Sequence, residues 1–293
     1  MNEPALPQES HDPMTQDPVE FRLQSPGHGE LRALRWEVER PRGRVGIVHG
    51  LGDHAARYGH VARALAERRY AVEAIDLPGH GKSYGARGHV GTWEEYRAAV
   101  DLWMDGMPRR PGGDHLVLLG HSMGSFVAFD WALRNPNRLR ALILSAPPFE
   151  LVLRPSMLKV RAAQLAARFW PGYSQGNMIL PSMLSSDQEM IRAHASDPLV
   201  HYRISARLFL EFQRMRAALS RRAPELAVDT LIIQGASDPI AASAGATRWA
   251  RGATTGRLTL NVYPGFLHEV LHESERARVL TDICDWLDRT IPD

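Results

Sequence analysis

Two stretches of the 293-residue chain match G-x-S-x-G, a pattern that can turn a serine into a nucleophile. They are Gly81-Lys82-Ser83-Tyr84-Gly85 and Gly120-His121-Ser122-Met123-Gly124. Chance supplies on the order of 0.1 such matches per chain at this Gly and Ser content, so context decides. The pattern works as a sharp turn between a strand and a helix, which lifts the serine above the sheet and frees the next N–H for an oxyanion. The second match follows the apolar run Leu116–Leu119 and opens a helical pattern through Arg134. The first follows Pro78-Gly79-His80 and runs into Ala86-Arg87-Gly88, which reads as loop, so Ser83 is expected to be a turn residue. Ser122 is the nucleophile candidate. An ordinary N-cap serine would not explain the glycines on both sides of it.

A serine hydroxyl needs a base to take its proton, usually a histidine held by a carboxylate. In sheets of this kind the acid and then the histidine follow the serine in the chain. Two later strand patterns end in suitable groups. Thr230–Gln234 leads into Gly235-Ala236-Ser237-Asp238, and Leu258–Tyr263 leads into Pro264-Gly265-Phe266-Leu267-His268. Asp238 is the expected orienting acid and His268 the general base. His272 lies four residues further on, Asp229 precedes its strand, and Asp197 reads as a helix or loop cap. An oxyanion needs two donors. The N–H of Met123 is one, and Leu51 in the loop His49-Gly50-Leu51-Gly52 is the other. His49 reads as a buried histidine bracing that loop.

No metal and no cofactor are expected. His54, His60, His80 and His89 show no H-x-x-x-H helix pair or carboxylate cluster. No Walker A motif is present, and no G-x-G-x-x-G follows a strand.

The elements that must position these residues alternate. Strands are predicted at Leu31–Val38, Val45–Val48, Ala71–Ile75, Leu116–Leu119, Ala141–Leu144, Thr230–Gln234 and Leu258–Tyr263. Helices are predicted within Tyr58–Arg68 and over Trp93–Met107, Met123–Arg134, Ser243–Arg251 and Ser274–Thr290, with Thr92 and Glu95 as a capping box. Short apolar strands between helices imply an α/β fold, a mostly parallel sheet covered on both faces. Cys284, on the apolar stripe of the last helix, reads as packing. Residues 148–226 interrupt the alternation. They lack strand signals, look helical, and are expected to form a cap over the ligand-binding edge of a core made of 21–147 and 227–293.

A chain of this length buries roughly 75% of its unfolded surface and needs no disulfide, which one cysteine excludes in any case. The net charge of +2 argues against a nucleic-acid binder, and no apolar run approaches the ~20 residues of a spanning helix. Residues 1–20 hold five acids, four prolines and no Lys or Arg, and read as a disordered acidic tail. They carry no signal-peptide pattern, which makes the cytoplasm the expected location. The cap holds 11 Lys+Arg against 6 Asp+Glu. Within it, Leu158, Ala162, Leu165 and Phe169 form one stripe and Arg161, Gln164 and Arg168 another. Two readings stand: a cap helix packed on the body, or a surface that docks on lipid with its arginines at anionic headgroups.

Taken together, the motifs resemble those of the monoacylglycerol lipase and lysophospholipase-like family of α/β-hydrolases. The matching pieces are His49 to His54 with Arg57-Tyr58, Asp76 to Ser83, and Gly85 to Val90. Gly120 to Gly124, Asp197-Pro198-Leu199, Gly235 to Asp238, and His268-Glu269 with Glu273 complete the set. Asp53 stands where the family usually has Glu, and Ser125 where it usually has Gly. The resemblance covers about residues 28–290. It implies an α/β-hydrolase fold with a helical cap carrying an acyl channel, with Leu158, Leu165 and Phe169 as the cap residues expected to meet the acyl chain. It also implies the triad Ser122, Asp238 and His268, the donors Leu51 and Met123, and a small-molecule lipid ester as substrate. The alternatives are a lysophospholipase or general carboxylesterase, a proline-type aminopeptidase, and a non-turnover ligand receptor.

Overall fold

The computed structural model describes residues 17–108, 115–152, 155–253 and 257–291. Its centre is an eight-stranded sheet. The strands are β1 (Val19–Ser25), β2 (Gly29–Trp36), β3 (Gly43–Val48), β4 (Tyr70–Ile75), β5 (His115–His121), β6 (Ala141–Ser145), β9 (Asp229–Gly235) and β10 (Leu258–Tyr263). Two short strands of the cap, β7 (Ser174–Gly176) and β8 (Arg203–Ser205), pair separately. The order across the main sheet is β1-β2-β4-β3-β5-β6-β9-β10. From β4 to β10 every neighbour is parallel, and β1 and β2 join antiparallel.

Parallel strands need crossovers, and these are helical. Helices α1 (Gly59–Glu67) and α8 (Arg276–Thr290) pack on one face. Helices α2 (Trp93–Gly106), α3 (Met123–Arg134) and α7 (Ser243–Arg251) pack on the other. The strands that looked uniformly apolar in sequence send alternate residues to the two cores. Leu116 and Leu118 join α2 and α3, whereas Val117 and Leu119 join α1 and α8. Cys284 is buried with α8 in the second core, its Sγ facing the Ala64 carbonyl oxygen at 3.6 Å. Glu95 accepts from the N–H groups of Gly91 and Thr92 at the start of α2.

The acidic-tail expectation fails at its C-terminal end. Val19 and Glu20 belong to β1, which pairs with β2 along its whole length. Phe21 and Leu23 pack on the core, and the Glu20 carboxylate is matched by Arg32 and Lys82. The alternation Val19, Phe21, Leu23 was a strand signal hidden by the acidic, proline-rich run before it. Residues 1–16 lie outside the described residues.

Residues of the cap form α4 (Met157–Phe169), α5 (Gln188–Ser196) and α6 (Ala206–Leu219). The β7–β8 ribbon corrects the all-helical expectation. Three residues per strand are too few for a periodic signal, and the pairing partner lies 27 residues away or more.

Ile47, fully buried in β3, fills the core beneath the catalytic edge. Ile47→Ala is expected to lower stability by about 3 kcal/mol, which urea unfolding followed by circular dichroism would measure.

Candidate active site

The C-terminal ends of β3, β5, β9 and β10 lie along one edge of the sheet because these strands are parallel. Each end runs into a loop carrying one of the residues singled out above. Ser122 sits between β5 and α3 with φ 51° and ψ −118°, a left-handed conformation that costs a serine on the order of 1–3 kcal/mol. Its N–H donates to the Ser145 carbonyl at 2.8 Å, which ties the turn to β6. The flanking glycines are required by packing. A Cβ on Gly124 would collide with the carbonyl oxygens of Val48 and His49, and one on Gly120 with the backbone of Gly124 and Ser125.

The Ser122 Oγ lies 2.8 Å from His268 Nε2, and His268 Nδ1 lies 2.8 Å from Asp238 Oδ2. The Asp238 contact calls for a proton on Nδ1, which leaves Nε2 free to accept from the serine. Asp238 is held by three further donors: the N–H groups of Ile240 and Ala241 on Oδ1 and the Gln234 amide on Oδ2. Burial would raise the Asp238 pKa, but His268 and these hydrogen bonds outweigh it and keep the carboxyl ionised. Burial would likewise depress His268. The Asp238 carboxylate overcomes that and holds the imidazole above its ordinary value of 6.5. Ser122 itself is half-buried and lines an open cleft.

Leu51 lines the same cleft. The loop before it approaches so closely that a Cβ on Gly50 would touch the Ser122 Cβ at 3.3 Å. Met123 is the first residue of α3, where helix N–H groups have no intrahelical acceptor. His49 is fully buried and braces the loop that carries Leu51. It pairs with the Gly50 carbonyl through Nδ1 at 2.7 Å and accepts from the Leu77 N–H at 3.0 Å.

The rival residues lie elsewhere. Ser83 accepts from the Arg32 N–H and donates to the Asp76 carbonyl inside a turn. His272 faces the Arg57 carbonyl and stacks edge-on against Tyr58. Asp229 begins β9 at the far end of the sheet, paired with Arg140. Asp197 terminates α5, accepts from the Leu199 N–H and meets His54 Nε2 at 2.9 Å.

Leu158, Leu165 and Phe169 do not reach the cleft. They face outward with 78%, 61% and 62% of their surface exposed. Only Ala167 of α4 is buried, because the helix rests on α6 through its small residues and turns the large stripe to solvent. The cap walls of the cleft are Asn177, Ile179, Leu184, His194, His201 and Tyr202, none of which belongs to α4. They come from irregular segments and from α5, without a periodic signal.

A buried ion network behind the cleft also had no role assigned from sequence. Arg57 Nη1 reaches Asp53 Oδ1 at 2.8 Å, and Nη2 reaches Glu269 Oε2 at 2.7 Å. It links the loop that carries Leu51 to the residue after His268. Glu273 joins the base loop to the cap, accepting from the Leu267 N–H and from Ser185 and Ser186. The His201 N–H donates to the Gly52 carbonyl at 2.9 Å, and the Glu269 N–H to the Leu184 carbonyl at 2.7 Å. Among the described residues no cluster of three or more His, Cys, Asp or Glu could hold a metal ion.

A serine on a strained strand–helix turn, hydrogen-bonded to a histidine that is hydrogen-bonded to a buried aspartate, can carry out acyl transfer. Together with the parallel sheet, this arrangement defines a serine hydrolase of the α/β-hydrolase class. The chain belongs to the family described as serine aminopeptidase S33, whose model matches residues 39–275. It is 31% identical to the monoacylglycerol lipase of Mycolicibacterium smegmatis, over 84% of this chain and 88% of that protein. It is 28% identical to phospholipase YtpA of Bacillus subtilis, over 84% and 98%. The crystal structure of a monoacylglycerol lipase from Paleococcus ferrophilus superposes with a TM-score of 0.81 at 29% identity, covering 89% of this chain and 99% of that one. The chain is a carboxylic ester hydrolase.

His268 can accept the serine proton only when neutral. Its pKa is raised, so kcat/KM should be full above that value and fall as pH drops through it. Asp238→Asn removes the charge that raises it. The acid limb of the pH–rate profile should move to lower pH, with kcat reduced on the order of 10³- to 10⁴-fold.

Proposed function

We propose that this enzyme hydrolyses monoacylglycerol-like lipid esters. Ser122 attacks the ester carbonyl while His268 takes its proton. The N–H groups of Leu51 and Met123 hold the oxyanion, and Asp238 keeps the imidazole oriented. His268 then protonates the leaving glycerol oxygen. Water, deprotonated by the same imidazole, releases the fatty acid from the acyl-enzyme. The observation that carries the reading is the Ser122–His268–Asp238 chain of hydrogen bonds opening on a cleft of mixed character. Leu51, Ile179 and Leu184 offer apolar surface to an acyl chain, and Asn177, His194 and Tyr202 offer polar groups to an alcohol. The names of the M. smegmatis and P. ferrophilus relatives support the same substrate. A lysophospholipase is the second reading, favoured by the B. subtilis relative. Ser122→Ala should lower hydrolysis of monoacylglycerol and of a p-nitrophenyl acyl ester on the order of 10⁴- to 10⁶-fold. Undiminished turnover in that variant would remove the assignment.

We further propose that the cap docks on an anionic lipid surface. Among the described residues no helix is long and apolar enough to cross a membrane. Yet Met157, Leu158, Leu165, Phe169, Trp170 and Met178 are each more than 60% exposed. Lys159, Arg161 and Arg168, also exposed, stand beside them. Apolar side chains that insert, with cations at headgroup level, are the pattern of an interfacial helix. Sedimentation with phosphatidylglycerol vesicles should exceed that with phosphatidylcholine vesicles. Leu158→Asp and Arg168→Glu should each weaken it, and binding equal to wild type in both variants would count against the docking face.

A further inference from the structure

The G-x-S-x-G match at Ser122 is followed by Ser125, where the family usually has glycine. Ser125 lies in the first turn of α3 and is 1% exposed. Its hydroxyl donates to the Ser122 carbonyl oxygen at 2.5 Å, and its N–H donates to the same oxygen at 3.0 Å. A serine that bonds its hydroxyl to a carbonyl of the preceding turn is ordinary in a helix. What distinguishes this one is the carbonyl it meets. The Ser122 C=O and the Met123 N–H belong to one planar trans peptide and point in opposite directions. Whatever holds the oxygen therefore aims the N–H.

That N–H needs holding. The torsion that swings the peptide is ψ of Ser122, at −118°, on a residue whose φ of 51° is strained. Relaxation of the strain would turn the peptide and carry the Met123 N–H with it. The peptide before Ser122 is fixed by the Ser122 N–H, which donates to the Ser145 carbonyl at 2.8 Å. The peptide after it is fixed through Ser125. Ser122 is the N-cap of α3, and an N-cap carbonyl already takes the first intrahelical bond. The hydroxyl adds a donor to it from a side chain whose backbone is itself held in place. A Cβ on Gly120 would lie 2.6 Å from the Ser125 Cα, so the first turn of α3 is pressed against the end of β5. Donation to the carbonyl also polarises the peptide and strengthens its N–H, on the order of 10–30% per bond.

We propose that Ser125 is a positioning residue for the oxyanion: its hydroxyl holds the Ser122–Met123 peptide so that the Met123 N–H points where negative charge develops. This rests on the reading of Ser122 as the nucleophile and Met123 as an oxyanion donor. Ser125 acts through that peptide, since it is not among the residues that line the cleft. It takes no part in the hydrogen bonds that join Ser122, His268 and Asp238 or in those that hold Asp238. Its contribution falls on the transition state, because the oxyanion carries more charge than the carbonyl oxygen of the bound ester.

Ser125→Ala and Ser125→Gly each remove the hydroxyl and keep the backbone N–H. With the purified full-length enzyme and a p-nitrophenyl acyl ester, each should lower kcat about three- to thirtyfold, less than the 10²- to 10³-fold that loss of a whole donor costs. KM should change little. The acid limb of the pH–rate profile should stay in place, because the carboxylates that raise the His268 pKa, Asp238 and Glu269, are untouched. A second readout uses an alkyl trifluoromethyl ketone. Ser122 Oγ bonds to its carbonyl carbon, the C=O electron pair moves onto oxygen, and the serine proton passes to His268, which leaves a hemiketal oxyanion. Fluorine NMR follows protonation of that oxygen with pH. In wild type the oxyanion should persist at pH 7. In both variants its midpoint should rise by about 0.5 to 1.5 pH units, the same factor as the loss in kcat. Wild-type kcat in both variants would overturn the role of Ser125, as would a lowered kcat with an unmoved midpoint. A wild-type hemiketal that is neutral at pH 7, or that does not form, would instead overturn the underlying reading of the site.

Discussion

The strained turn at Ser122 is the constraint on which the rest of the site depends. A serine with a positive φ persists only where its surroundings over-determine it. Here α3 sits so close to the end of β3 that Gly124 leaves no room for a side chain, and Gly120 abuts the turn from the other side. The hydrogen bond from Ser122 to Ser145 locks the turn to β6. One close approach therefore does three things. It raises the Oγ above the sheet edge, points the first N–H groups of α3 outward, and brings the β3 loop with Leu51 against Ser122. The parallel sheet then delivers Asp238 and His268 to the same edge from β9 and β10.

Around this turn the protein spends its buried charge on position. The Asp53–Arg57–Glu269 triad is nearly dry, and such an arrangement is seldom worth much to stability. What it supplies is a fixed link between the loop of Leu51 and the loop of His268. Glu273 makes a second link, from the base loop to Ser185 and Ser186 of the cap. The cap is thus sewn to the two loops that must stay in register for acyl transfer. Backbone bonds at Gly52 and Leu184 run through the same seam. An exposed helix, α4, lies away from it.

Charge is segregated by this architecture. Lys159, Arg161 and Arg168 are exposed beside the large apolar side chains of α4, whereas the residues lining the cleft hold no lysine and no arginine. The net charge of the chain, +2, describes neither.

The chemistry was legible in the chain because it depends on local rules. The glycines around Ser122, the strand ends before Asp238 and His268, and the alternation of apolar runs with helices are short-range patterns, and each led to the observed element. Val19–Ser25 was missed because its alternation begins inside an acidic, proline-rich run, and β7 and β8 because a three-residue strand is defined by its partner alone. The expectation that Leu158, Leu165 and Phe169 meet the acyl chain fails for a related reason. A helical stripe of Leu158, Leu165 and Phe169 states that one face is apolar, and only the packing of the small residues on α6 decides that this face looks outward. The same holds for Arg57 and for the polar walls of the cleft. Their residues come from segments far apart in the chain, and what they do follows from which carboxylates they meet and from the absence of water. Sequence by itself singled out Ser122, Asp238 and His268 and the sheet that aligns them. Tertiary structure alone decided what surrounds them, because burial and charge pairing are properties of neighbours in space.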